Sequence, residues 1–148
     1  MPKSIIAKSL NVIYNDKCNV ISGVLNDPYT GNIINFIRGS ETSGGIQIDH
    51  VVALSDAWKT GAQKLTTQQR IEFANDPLEL LAVDGSANQQ KSDGNASVWL
   101  PSNKLFQCQY VARQVAVKQE YNLWVTQSEY NTISSILDKC PNQLLPSL

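Results

Sequence analysis

Histidine, cysteine and charge are all scarce in this chain of 148 residues, which has one histidine and three cysteines. Three cysteines are too few for the class of small proteins that disulfide bonds hold together. No apolar run approaches the roughly 18 residues that a membrane-spanning helix needs, so the sequence predicts no membrane insertion. The first ten residues contain two lysines and lack the apolar core of a signal peptide.

Charged residues make up 17% of the chain, against roughly 25% in an average domain. Thirteen asparagines and twelve glutamines take their place, and this amide-rich composition favours an exported protein. The net charge of −1 excludes a strongly basic protein that coats DNA. The apolar fraction of 42% supports one ordinary globular domain.

The hydrophobic pattern predicts an α+β domain that begins with a β-hairpin and ends with an antiparallel helical hairpin. The predicted strands lie in 19–25, 33–38, 46–49 and 78–83, and the predicted helices in 55–61, 66–74, 86–91, 104–121 and 126–140. Thr66 with Gln69, and Thr126 with Glu129, have the spacing of capping boxes. Residues at helical spacing predict one buried stripe on the last helix: Tyr130, Ile133, Ile136, Leu137 and Cys140.

Two polar clusters are candidates for chemistry. Asp49 and His50 end a short apolar strand, where a carboxylate can bind a hard cation and an imidazole can act as a base. In an extended strand the two side chains point to opposite faces. Asn88 and Lys91 lie three residues apart on one face of a predicted helix. Taken separately, a lone histidine is more often structural, and a helix with this pattern is more often a solvated surface helix.

Taken together, the clusters resemble the ββα-metal core of HNH endonucleases, of the kind found in exported bacterial proteins and at the C-terminus of some modification-dependent restriction enzymes. The resemblance covers residues 18–141, which are predicted as the domain, between an extension at 1–17 and a tail at 142–148. The segments that carry it are 27–31 (DPYTG), 46–58 (IQIDHVVALSDAW), 73–77, 80–83, 88–93 (NQQKSD), 99–101, 110–113 and 117–118.

The resemblance implies a role for each matching residue. His50 matches the general base that activates water, and Asp49 and Asn88 match the metal ligands. Lys91 matches a lysine near the scissile phosphate. The implied cofactor is one divalent ion, with Mg²⁺ favoured and Mn²⁺ as the alternative. Because the base must be neutral, a neutral to mildly alkaline optimum is expected.

The middle position of the motif departs from the family. Many HNH nucleases carry an asparagine there that orients the histidine, whereas this chain has Glu79. A carboxylate can accept the imidazole proton, so Glu79 is the predicted orienting group. The implied substrate is DNA in preference to RNA, and the basic residues Arg38, Arg113 and Lys118 are predicted to contact it.

The positions of the cysteines predict the cellular compartment in which the protein works. Cys108 and Cys140 lie sixteen residues on either side of Trp124, the centre of the helical connection, so a helical hairpin brings them level. A disulfide between them is typical of an oxidising compartment. The related exported domains carry a further upstream cysteine. We therefore expect a secreted or cell-envelope monomer cut from a longer precursor, with Cys18 paired to the missing cysteine. The alternative is a buried Cys18 thiol in a cytosolic protein.

Three functions remain open on the sequence. The first is a metal-dependent endonuclease with His50 as general base. The second is a noncatalytic HNH-like domain that binds nucleic acid or a cell-envelope partner, which Glu79 and the acidic isoelectric point favour. The third is a toxin-like domain with a cognate inhibitor, which no residue singles out.

Overall fold

The chain folds into two small antiparallel sheets and five α-helices in the part that the structure describes, a computed structural model covering residues 10–17, 19–39 and 45–147. The predicted α+β class is therefore confirmed. The helices are α1 (Leu54–Lys59), α2 (Thr67–Asn75), α3 (Gly85–Lys91), α4 (Lys104–Glu120) and α5 (Gln127–Leu137), with a 3₁₀ turn at Ala62–Lys64.

The first sheet contains the predicted N-terminal hairpin and one further strand. Its order is β1 (Leu10–Tyr14), β2 (Val20–Asn26) and β3 (Ile33–Ile37), all antiparallel. The strand β1 lies within the predicted extension 1–17 and pairs along β2. The folded sheet therefore reaches further toward the N-terminus than the sequence pattern indicates.

The second sheet pairs two segments that are distant in the sequence, and its antiparallel strands are β4 (Ile46–His50) and β5 (Leu80–Asp84). In its register Asp49 lies opposite Leu81, and His50 lies opposite Leu80. The helices α1 and α2 fill the connection between the two strands, and α3 follows β5 directly. This topology places α3 next to the strand that contains Asp49 and His50.

Both predicted capping boxes are present. The hydroxyl of Thr66 accepts from the Gln69 N–H at the start of α2, and that of Thr126 accepts from the Glu129 N–H at the start of α5. The start of α3 differs from the prediction, because the cap is Asp84, whose carboxylate accepts from the Ala87 N–H at 2.8 Å.

The core has an aromatic cluster at its centre. Tyr29 and Tyr110 are completely buried, and their rings meet edge to face with centroids 5.6 Å apart. Trp99 packs against both rings. On α5, Ile133 is buried in the same cluster, whereas Tyr130 is 57% exposed. The predicted stripe is therefore wrong at Tyr130, which is not part of this cluster.

The turn between β2 and β3 is fixed by a buried carboxylate. Asp27 accepts from the Thr30 N–H at 2.7 Å within the turn and from the Asp84 N–H at 2.8 Å across to the end of β5. From the other side, the Asn103 N–H donates to the Tyr29 carbonyl at 2.9 Å. These bonds hold Tyr29 against the second sheet.

The predicted Cys108–Cys140 disulfide is confirmed. It joins α4 to the end of α5 with the two Cα atoms 6.4 Å apart. Cys18 lies outside the described residues. Within the described ranges no helix is long and apolar enough to cross a membrane.

Removing this bond by the paired change Cys108→Ser and Cys140→Ser is expected to lower the free energy of unfolding by about 3–4 kcal/mol. The bridge closes a loop with a sequence separation of 32 residues, and opening it frees the unfolded chain. Urea denaturation of the oxidised protein and the variant measures the difference. If the oxidised and fully reduced parent proteins unfold at the same urea concentration, the bridge adds no stability.

Candidate active site

The strand β4 presents two different faces, because successive side chains of a strand point to opposite sides. Gln47 and Asp49 face α3, which crosses the hairpin on that side. The Asn88 side-chain amide donates to the Gln47 side chain at 2.9 Å, and the Lys91 ammonium donates to Asp49 at 3.0 Å. The two predicted clusters are therefore brought together, with Asn88 and Lys91 each bonded to a different β4 residue.

Asp49 and Lys91 form a buried ion pair. The Lys91 side chain is 1% exposed, and its Nζ lies 3.0 Å from Asp49 Oδ1 and 2.8 Å from the His50 carbonyl oxygen. The Tyr29 hydroxyl donates to Asp49 Oδ2. In this arrangement the Lys91 ammonium is bonded inside the protein. Arg38, which is predicted to contact substrate, is exposed in the turn after β3.

His50 lies on the opposite face of β4 and is half-buried. Its Nε2 lies 3.0 Å from the backbone carbonyl oxygen of Ala74, near the end of α2. A carbonyl only accepts hydrogen bonds, so Nε2 carries the ring proton. In the neutral imidazole Nδ1 is then the unprotonated nitrogen, which is the atom able to take a proton from water.

Glu79 supports the chain just beyond His50. Its backbone carbonyl accepts from the Val51 N–H at 2.8 Å, and its Oε2 accepts from the Val52 N–H at 3.0 Å. The side chain is completely buried, and this burial raises the pKa of the Glu79 carboxyl well above its ordinary value. The imidazole itself is held by the Ala74 carbonyl, in the role that the sequence analysis predicts for Glu79.

The residues at this site do not fit a divalent ion as they are arranged. The two Asp49 oxygens are taken by the Lys91 ammonium and the Tyr29 hydroxyl. A cation at this carboxylate would lie beside the Lys91 ammonium and be repelled by it. Within the described ranges no group of three histidine, cysteine, aspartate or glutamate side chains could hold a metal.

Two basic residues predicted to contact substrate have internal partners. The Arg113 guanidinium donates to backbone carbonyls around β5, with Nε 2.6 Å from the Leu78 oxygen. The Lys118 ammonium is buried between Asp56 at 2.9 Å and Glu129 at 2.8 Å. In this arrangement both cations hold elements of the fold together.

Two groups at the site are absent from the sequence predictions. The hydroxyl of Tyr29 reaches Asp49 from the first sheet, and the carbonyl of Ala74 reaches His50 from α2. The turn chemistry around Tyr29 marks a loop without indicating where its hydroxyl goes. A backbone carbonyl has no residue-type signature, so only the fold reveals it.

A β-hairpin with Asp-His at the end of one strand and a polar helix across it is the arrangement predicted for an HNH-type nuclease domain. The comparison with known families agrees. The chain belongs to the family of C-terminal domains of GmrSD restriction endonucleases, which matches residues 6–136. The resemblance drawn from the motifs is therefore confirmed, and the family is related to nucleases and to nucleic-acid binding.

The chain is also similar to a protein of Arthroderma benhamiae that is described as an uncharacterized secreted protein. The two sequences are 37% identical over 132 residues, which is 88% of this chain. The match covers 62% of the relative, so this chain spans about three-fifths of its length.

Breaking the buried ion pair is expected to be costly and non-additive. Lys91→Met leaves a buried Asp49 charge, and Asp49→Leu leaves a buried ammonium, so each is expected to cost about 3–5 kcal/mol. The double variant leaves neither charge and is expected to cost less than the sum of the two. Urea unfolding of all four proteins measures the coupling.

The matched control for that cycle is the exposed ion pair of Lys59 and Asp93, whose side chains are 66% and 56% exposed. Breaking this pair by Lys59→Met is expected to change the unfolding midpoint little, because water solvates the remaining charge. Additive costs at Asp49 and Lys91 would contradict a coupled buried pair.

The raised pKa of Glu79 predicts a pH dependence of stability. Between the ordinary glutamate pKa and the raised folded value, the folded state binds the proton and the unfolded state does not, so stability falls as pH rises. Glu79→Gln mimics the neutral form and is expected to unfold at higher urea concentration than the parent at neutral pH. Denaturation from pH 4 to pH 8 tests this. A parent and variant with parallel pH profiles would show that Glu79 does not titrate in this way.

Proposed function

We propose that this domain hydrolyses phosphodiester bonds in DNA, with His50 as the general base. The observation that carries the proposal is the bond between His50 Nε2 and the Ala74 carbonyl. It fixes the ring and leaves Nδ1 as the proton acceptor on a half-buried side chain. Membership of a restriction endonuclease domain family supports this class of reaction.

In the proposed step, Nδ1 takes a proton from water and the resulting hydroxide attacks phosphorus. The new P–O bond forms as the bond to the 3′ oxygen breaks, and that oxygen then gains a proton. Lys91 acts here as a positioning residue, since its ammonium holds the His50 backbone carbonyl at 2.8 Å without facing the substrate. No step is drawn through a metal ion, because Asp49 is already bonded to Lys91 and Tyr29.

The second candidate is a noncatalytic domain that binds nucleic acid. The closed environment of Asp49 favours it, because the carboxylate that the resemblance assigns to a metal already has an internal cationic partner. The two candidate functions differ in whether the bound DNA is cleaved. A domain of this kind binds DNA and leaves its strands intact.

We also propose that the domain works outside the cytoplasm. The Cys108–Cys140 disulfide supports this, since such bonds persist in oxidising compartments. A similar protein that is described as secreted supports it as well.

His50→Ala is expected to slow nicking of supercoiled plasmid about 10²- to 10⁴-fold, because the general base is lost. Added imidazole is expected to restore part of the rate, which a purely structural role of the ring would not allow. Reactions with Mg²⁺, Mn²⁺ or a chelator test separately the divalent ion that the sequence resemblance implies.

The unfolding midpoint of His50→Ala is the control for loss of the Ala74 bond. A folded variant with the parental nicking rate would contradict the proposed mechanism. A parent chain that binds plasmid without nicking it under any of these conditions would support the noncatalytic candidate.

A further inference from the structure

Two exposed tryptophans, each with a cation over its ring, lie on the segment that connects β4 to β5 and on the loop before α5. The Arg70 guanidinium lies 5.6 Å from the centre of the Trp58 ring, and the Lys64 ammonium lies 5.3 Å from that of Trp124. Trp58 is 51% exposed and Trp124 is 45% exposed. Half of each large apolar ring therefore faces solvent.

The two pairs are linked through contacts of the segment 58–70. Arg70 Nη1 donates to the Leu65 carbonyl at 3.0 Å, which places the guanidinium beside the residue that follows Lys64. We call these four side chains the tryptophan–cation strip: Trp58, Arg70, Lys64 and Trp124. Its two cations lie between its two aromatic rings.

The Trp124 ring is held rigidly against the backbone. The backbone N–H of Trp124 donates to the Thr60 carbonyl at 2.9 Å, and the ring packs so closely on Gly61 that a Cβ atom there would lie 3.0 Å from it. The glycine, at φ +128°, is what allows this close approach. A large exposed ring that is fixed before binding loses little conformational freedom when a ligand stacks on it.

The strip is positively charged in a protein whose net charge is −1. Residues 57–71 contain Lys59, Lys64 and Arg70 and no carboxylate. Lys59 pairs with Asp93. In the described part of the chain, neither Lys64 nor Arg70 has a carboxylate within ion-pair distance. These two cations are available to an anionic ligand.

The strip also lies close to the proposed base. Arg70 and Ala74 are one helical turn apart on the same face of α2, about 6 Å along the axis. The Ala74 carbonyl is the group that holds the His50 ring. The strip and the His50 ring therefore both contact α2, the strip toward its start and the ring toward its end.

We propose that the tryptophan–cation strip binds single-stranded nucleic acid, with unpaired bases stacked on Trp58 and Trp124 and phosphates bound by Arg70 and Lys64. Stacking on exposed aromatic rings beside cations is how proteins bind single strands without sequence preference. Bases in a duplex already stack on one another, so the strip prefers an unpaired strand. This inference deepens the proposed function and identifies the form of substrate that reaches His50.

Binding is tested with the full chain carrying His50→Ala, so that cleavage does not interfere. Fluorescence anisotropy with a labelled oligo(dT), an oligo(rU) and a duplex of equal length compares the sources of the ligand. Trp58→Leu and Trp124→Leu are each expected to weaken oligo(dT) binding about 5- to 100-fold. Arg70→Gln is expected to reduce the slope of log affinity against log salt concentration by about 0.7.

Matched controls are exposed residues outside the strip. Tyr130→Leu removes an exposed aromatic ring from α5, and Lys139→Gln removes an exposed cation beyond its end. Both are expected to bind oligo(dT) like the parent. Urea midpoints equal to that of the parent show that the strip variants are folded.

Tryptophan fluorescence supplies a readout that charge alone would not move. Oligo(dT) is expected to quench Trp58 and Trp124, whereas inorganic polyphosphate, which has no bases, is expected to bind without quenching. Trp99 packs against Tyr29 and Tyr110 in the core and supplies the residual signal.

Equal affinity for duplex and single strand, unchanged binding in the tryptophan variants, or absence of quenching would overturn the proposal. No binding to any oligonucleotide would also overturn it and would leave a protein partner as the ligand of the strip. Tight single-strand binding by a chain whose nicking rate is unaffected by His50→Ala would sustain the strip while contradicting the proposed function.

Discussion

The ammonium of Lys91 is closed off from solvent, and three separate parts of the chain meet around it. It joins α3 to β4 through the Asp49 carboxylate and the His50 carbonyl, and Asp49 in turn accepts from Tyr29 in the first sheet. Burying two charges is expensive unless every lone pair and proton has a partner. The fold offsets part of this cost by bringing both sheets and the short helix to one point, where the ammonium has two acceptors and the carboxylate two donors.

This network and the His50 ring occupy opposite faces of one strand. Asp49 faces α3 and His50 faces α2, because neighbouring side chains of β4 alternate. The backbone of His50 is therefore fixed from one side by Lys91 while its ring is oriented from the other by Ala74. Two different residues therefore fix the backbone of His50 and the orientation of its ring, and the Ala74 bond uses Nε2 and not Nδ1.

Three of the twelve lysines and arginines of this protein are bonded within the fold. Lys91, Lys118 and Arg113 are all bonded to carboxylates or carbonyls of the chain itself. With a net charge of −1, the protein has no strong overall attraction for a polyanion. Contact with nucleic acid must then depend on local arrangements of cations and aromatic rings, and the segment between β4 and β5 contains such an arrangement.

Local features of this fold could be predicted from the sequence. The Thr66 and Thr126 capping boxes set the starts of α2 and α5, because a cap is a bond between near neighbours in the chain. The turn at 27–31 predicted the hairpin. The equal spacing of Cys108 and Cys140 around the helical connection predicted their bond, since a helical hairpin converts sequence spacing into distance.

The tertiary structure decided which partner each polar side chain has. The sequence placed Asp49, Asn88 and Lys91 near one another but did not show that Lys91 would neutralise Asp49 or that Tyr29 would complete the network. It also did not show that Ala74, rather than Glu79, would hold the imidazole. These contacts join residues 20 to 42 positions apart. Residue type fixes what a group can bond to, whereas only the packed fold fixes which group it meets.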